Sequence, residues 1–186
     1  MAHGTPRAWA ADLLHTWFAD LGPADWFGGS AAVDDLLRRR FSRWLEPLSG
    51  QAAERFLGDP QTALASVLLF DQLPRNLHRG SARAFAHDSL AREITHYALA
   101  RGHFDALHTD TQRQFLAMPL MHSEKIADQR QSLHIFRELG PRHGFGFARS
   151  HYAMVARFGR FPHRNDALGR KSTPAEKRAI AAGFSW

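Results

Sequence analysis

Asp59-Pro60-Gln61-Thr62-Ala63-Leu64-Ala65-Ser66-Val67-Leu68-Leu69-Phe70-Asp71-Gln72-Leu73-Pro74-Arg75-Asn76 is the stretch from which the fold is read. Asp59-Pro60 is a helix start, with a capping carboxylate followed by a proline whose missing N–H costs nothing in the first turn. Leu64, Val67, Leu68 and Asp71 then recur at three- and four-residue intervals, the spacing of one helix face. Pro74 is expected to end the helix, since a proline removes a ladder hydrogen bond. Asp71 lies seven residues after Leu64 on the inward stripe. A buried carboxylate is costly unless paired, so a cationic partner is expected, either Arg75 or an arginine from elsewhere.

The same periodicity extends outward in both directions. Thr5-Pro6 reads as a cap and first-turn proline, and Trp9, Leu13, Trp17 and Leu21 form a stripe that Gly22-Pro23 stops. Ser30 caps a helix through Glu46 with Val33, Leu36, Leu37, Phe41 and Trp44 inward. Ser81 is expected to cap a long helix to Arg101. A short helix covers Thr111 to Ala117, another runs from Ser123 to Leu139, and a third from about Gly146 to Arg160. Thr173-Pro174-Ala175-Glu176 is a capping box with proline in the first helical position. No alternating strand pattern appears. The expectation is a single all-α domain spanning 1–186, of seven to nine helices, with short connections favouring antiparallel neighbours.

Composition narrows the function classes. The 186 residues are 44% hydrophobic and contain no cysteine, which excludes disulfides and thiolate chemistry and fits a cytoplasmic protein. No basic-then-apolar leader is visible. The longest apolar run, Thr62 to Phe70, is far below the roughly 20 residues of a membrane span, so a soluble chain is expected. From Arg142 onward there are nine basic and two acidic residues, a net +7, while the first 141 residues sum to −1. Walker A, dinucleotide-glycine and GxSxG signatures are missing. Basic residues interleave with aromatics near the C-terminus without a nucleic-acid-binding motif, so nucleic acid is not the expected partner.

Three polar motifs sit at helix ends: Asp71-Gln72-Leu73-Pro74-Arg75-Asn76, His122-Ser123-Glu124, and Arg157-Phe158-Gly159-Arg160-Phe161-Pro162-His163-Arg164-Asn165. In the last, Gly159 and Pro162 bend the chain, so Arg157, Arg160, His163 and Arg164 fan out. Guanidiniums bind carboxylate or phosphate bidentately. His122 and Glu124 are the candidates for proton transfer. Asp71, Gln72, Arg75, Asn76, His151, Arg157, Arg160, His163, Arg164 and Asn165 are the candidate ligand-binding residues. His122, Glu124, His151 and His163 lack a metal-ligand spacing such as HExxH, so no metal site is expected, and the sequence names no cofactor. The competing reading is that the arginines pair with buried acids such as Asp71 or Glu124 and lock helices together. There is also an echo: Leu73-Pro74-Arg75-Asn76 and Phe161-Pro162-His163-Arg164-Asn165 each follow a helix and precede a new cap, with the asparagines 89 residues apart.

These motifs resemble the bacterial proteins of unknown function grouped as DUF924. The resemblance rests on Leu69 to Asn76, Met118 to Glu124 and Arg157 to Asn165. Leu14 to Phe18, Asp25-Trp26-Phe27, Arg79-Gly80, Asp88, His151, Leu168-Gly169-Arg170 and Ser172-Thr173 extend it over nearly the whole length. Phe70, where the family pattern commonly has leucine, and Lys125, where an acid is common, are departures. The resemblance implies a tetratricopeptide-like array of helical hairpins and supplies no activity. Two functions are therefore expected to compete. One is a polar Arg/His-lined pocket for a small anion, catalytic or not. The other is a helical-repeat module that holds an acidic peptide. The sequence leaves homo-oligomerisation open.

Overall fold

The computed structural model describes residues 7–184, and Thr5-Pro6 lies outside them. The helices are α1 (Ala8–His15), α2 (Pro23–Gly28), α3 (Ala31–Ser49), α4 (Pro60–Val67), α5 (Leu73–Leu77), α6 (Asp88–Ala100), α7 (Asp110–Met121), α8 (Ile126–Leu139), α9 (Phe145–Phe158) and α10 (Pro174–Ala181). No strand occurs among the described residues. A π-helical turn, Leu68–Gln72, joins α4 to α5, so Pro60 to Leu77 is one continuous rod and the helices among the described residues number nine.

That rod is the centre of the molecule. Every residue from Thr62 to Pro74 is buried, and α4 packs on α1, α6 and α7. A helix apolar all round must be enclosed on all sides. Asp59 caps it as expected, accepting from the Thr62 backbone N–H at 2.8 Å and the Thr62 hydroxyl at 2.6 Å, a contribution of about 1 kcal/mol. Pro74 does not end it. In the π-turn the Leu73 N–H reaches back to the Leu68 carbonyl, one residue further than in an α-helix. Pro74 then falls in the first turn of α5, where no donor is required.

The other boundaries shift for similar reasons. Helix α3 runs three residues past Glu46, through Pro47. Its buried stripe is Val33, Leu37, Phe41, Leu45 and Leu48, with Leu36 and Trp44 at the margin. Ser81 does not start a long helix. Its hydroxyl accepts from the Arg83 N–H, a short 3-10 turn covers Ala82–Phe85, and α6 begins only at Asp88. Helix α7 extends to Met121 through Pro119. The Thr173–Glu176 capping box is formed as read.

The large core draws on α1, α3, α4, α6, α7 and α8, with Trp17, Phe41, Phe56, Phe70, Phe115 and Phe136 fully buried. A second, small core of Met154, Val155, Phe161 and Ala179 lies beyond it, where α9 meets α10 and the intervening loop. The polar motifs collect between the two cores.

Candidate functional site

Three consecutive residues, His122, Ser123 and Glu124, follow α7 and each ties a different part of the chain. His122 Nδ1 lies 2.8 and 2.9 Å from the two carboxylate oxygens of Asp71. The Ser123 hydroxyl donates to Asp128 at 2.6 Å, and Asp128 also holds His96 at 2.9 Å. Glu124 accepts from the Phe161 backbone N–H at 2.8 Å and takes Arg170 in a fork at 2.8 and 2.9 Å. The partner of His122 is thus Asp71 rather than its sequence neighbour Glu124.

Asp71 is wholly buried within the π-turn. It receives His122, the Gln72 amide and, at 3.1 Å, Arg75. Burial alone would raise its pKa, but Arg75 and His122 outweigh it and hold the carboxyl far below the usual carboxylate range. Asp71 is therefore an anion, and His122 Nδ1 must be the donor toward it. The remaining nitrogen of neutral His122, Nε2, is then an acceptor. Burial and the nearby Arg75 push the His122 pKa down despite the pull of Asp71.

Arg75 forks onto Asp88 at 2.9 and 3.1 Å. Arg164 reaches the same Asp88 at 3.1 Å. Its guanidinium sits 4.6 Å from the ring centroids of both Phe85 and Phe161. The two arginines of the echoed motifs thus converge on one carboxylate. Arg164 is only 7% exposed, and its Nε makes no hydrogen bond. Burial, with Arg75 adding repulsion, pulls its pKa down to about 10. Asn76, 8% exposed, likewise has an Nδ2 without a hydrogen-bond partner. Asn165 is fully buried and donates to Ser172 at 3.0 Å.

A row of imidazoles closes the site. His151 lies 6.1 Å from His122 and 5.3 Å from Phe161, and His163 lies 5.7 Å from Phe161, centroid to centroid. His151 Nδ1 donates to the Phe147 carbonyl at 2.8 Å. Burial and the positive field of the cluster push His151 down to about 3 and His163 down to about 4.

Eight of the twelve sequence candidates are therefore brought to this region: Asp71, Gln72, Arg75, His122, Glu124, His151, His163 and Arg164. Asn76 and Asn165 adjoin Arg75 and Arg164 in the chain, but Asn76 accepts from Arg79 at 3.4 Å and Asn165 donates to Ser172. The other two are not brought there. Arg157 is exposed and stacks over Phe158 at 4.9 Å. Arg160 forks onto Glu176 at 2.7 and 3.0 Å and also donates to the Lys171 carbonyl, which fastens α10 to the end of α9. Sequence reading passed over Asp88 and Phe85, which serve both arginines, and Arg170, which holds Glu124. In the sequence Asp88 reads as an ordinary acid inside the helix expected from Ser81 to Arg101, so only its position between two arginines reveals it. Among the described residues no group of three or more His, Asp or Glu is arranged to hold a metal ion.

The family model for bacterial proteins of unknown function, DUF924, matches residues 13–183. The chain belongs to this family. A solved structure of a protein of unknown function from Agrobacterium tumefaciens, ATU0120, superposes on the DUF924 chain with a TM-score of 0.88. The two are 38% identical, over 95% of this chain and 98% of that one. No curated protein matches the sequence. Among the described residues no helix is long and apolar enough to cross a membrane.

Proposed function

We propose that the buried cluster around His122 and Arg164 binds a small anionic molecule bearing a carboxylate or phosphate, in the cytoplasm. The observation that carries this is the unspent donor capacity of Arg164. A guanidinium with five N–H donors is packed between two phenylalanines and makes one hydrogen bond to a carboxylate it shares with Arg75. A buried donor left unmade costs about 1–3 kcal/mol, and an oxyanion recovers that cost. Asn76 Nδ2 adds a second buried donor of the same kind. Arg75, Asp71, Gln72 and Asn165 brace the site. Glu124, clamped by Arg170 and the Phe161 N–H, is a brace as well. His122, oriented by Asp71, is the group placed to accept a proton should the bound anion be a substrate.

The test is thermal unfolding of the protein against a panel of phosphorylated and carboxylated metabolites, in parallel with Arg164→Gln. A ligand at 100 times its Kd adds about 2.7 kcal/mol of stability. That gain is expected for the wild type and not for the variant. A variant that folds and responds equally to the same compounds rules the site out.

The second reading, an acidic-peptide module, rests on a different surface. Arg130, His134, Arg137 and Arg149 rim an open depression of about 370 Å³ between α8 and α9, floored by Leu133 and Phe145. Binding of an acidic peptide abolished by Arg130→Glu with Arg137→Glu, and indifferent to Arg164→Gln, favours that reading over the first.

A further inference from the structure

The anion reading leaves open what kind of anion the site takes. Three guanidiniums, Arg75, Arg164 and Arg170, face three carboxylates, Asp71, Asp88 and Glu124. The ionic groups balance one another, so net charge does not select the ligand. Hydrogen-bond polarity does. The buried Asp71 carboxylate accepts the Nδ1 proton of His122, which leaves Nε2 as an acceptor wherever the imidazole is neutral. Among the described contacts Nε2 makes no hydrogen bond. Arg164 Nε and Asn76 Nδ2 are the opposite case, buried donors without acceptors.

Resting on the anion-site reading, we propose that His122 is a specificity-determining residue, and that the ligand is an oxyanion carrying its own O–H donor, such as a hydrogen phosphate or a hydroxylated acid. The anionic oxygens meet Arg164, and the O–H donates to His122 Nε2. A fully deprotonated oxyanion such as sulfate places lone pair against lone pair at Nε2 and is disfavoured, since an acceptor facing an acceptor discriminates more strongly than a missing contact. Protonation of His122 removes this preference. The charged and titratable groups acting on His122 are Asp71 and Arg75 from the central rod, Arg164 and His163 from the loop after α9, and His151 from α9. Burial and the two arginines keep the ring neutral at pH 7.5, with Asp71 opposing them.

The experiment is calorimetric titration of the wild-type protein with inorganic phosphate and with sulfate at pH 7.5. Phosphate carries at least one O–H at this pH and sulfate carries none. Phosphate is expected to bind at least tenfold more tightly than sulfate. Equal affinities overturn the assignment to His122 while the anion site stands. Failure of both ions to bind overturns the anion site itself. His122→Gln, whose amide can turn either a donor or an acceptor inward, is expected to bind both ions with the preference lost. A preference that persists in a folded His122→Gln protein overturns the proposal. The wild-type comparison of the two ions decides the matter if that variant does not fold.

Discussion

The rod from Pro60 to Leu77 and the segment from Phe158 to Phe184 are held in place by different forces. Around the rod, α1, α3, α6, α7 and α8 bury a continuous apolar core with it, and the polar side chains it contains are exceptions. The C-terminal segment shares a small core with α9, made of Met154, Val155, Phe161 and Ala179, with Phe158 and Phe184 at its edge. It is fastened by arginine–carboxylate pairs: a single bond from Arg164 to Asp88, a fork from Arg170 to Glu124 and, within the segment itself, a fork from Arg160 to Glu176. Two of the basic residues of the last quarter, Arg164 and Arg170, thus hold acids displayed by the rest of the chain. Hydrophobic burial is non-directional, whereas these forks fix orientation. A large core followed by a pinned flap is a way to set side chains from distant segments around one small volume.

The sharpest break in that contrast comes from two neighbours on the rod. Phe70→Ala removes a fully buried ring that meets Phe56 edge-on at 5.3 Å, and a loss of about 3–5 kcal/mol is expected in chemical denaturation. Asp71→Ala leaves Arg75 and His122 without their shared partner, and a similar loss of about 3–5 kcal/mol is expected. The two are told apart by acid. Asp71 has a folded pKa far below its unfolded one. Its contribution is present above about pH 3.9 and is lost as pH falls toward the folded value, so the Asp71→Ala deficit shrinks in acid while the Phe70→Ala deficit persists.

The histidine row gives the next effect. His151 is neutral when folded, with a pKa pushed down to about 3, against about 6.5 unfolded. Between those values only the unfolded chain takes the proton. Wild-type stability should therefore fall as pH drops below about 6.5, by up to about 1.4 kcal/mol per pH unit from this residue. Denaturation midpoints at pH 7.5, 6.5 and 5.5 check this, and His151→Gln should flatten the slope.

Glu124→Gln tests the flap. It weakens the Arg170 fork and the bond from the Phe161 N–H, and about 1.5–3 kcal/mol is expected. The signature is local: amides of α10 and the loop before it should exchange faster, with the rod unchanged. Arg157→Ala is the smallest, within about 0.5 kcal/mol, because its side chain is exposed.

Much of this was legible in the chain. Leu64-to-Asp71 spacing placed a carboxylate inside the core, and that residue proved to be the one His122 binds. The helix-capping residues Asp59 and Thr173 were read from local chemistry, which is set by neighbours three residues apart. Pairings across long separations were not legible. Nothing local says that Arg75 and Arg164 share Asp88, or that Glu124 is held by Arg170. Arg157 was misplaced because the left-handed Gly159, φ 69°, closes α9 with Arg157 still on its outward face. Pro74 misled because the π-turn before it places it in the first turn of α5, and no residue type signals such a turn.

That turn has a consequence for sequence length. A π-turn is one residue more than an α-helix needs to cover the same rise. Deleting a single residue between Leu68 and Gln72 would leave a regular helix of nearly the same rise and rotation, so α4 and α5 would keep their phase and Arg75 its place beside Asp88. The same deletion within α4 would swing everything after it by about 100° around the axis. The π-turn is thus the point at which the rod can change its length by one residue without changing its direction.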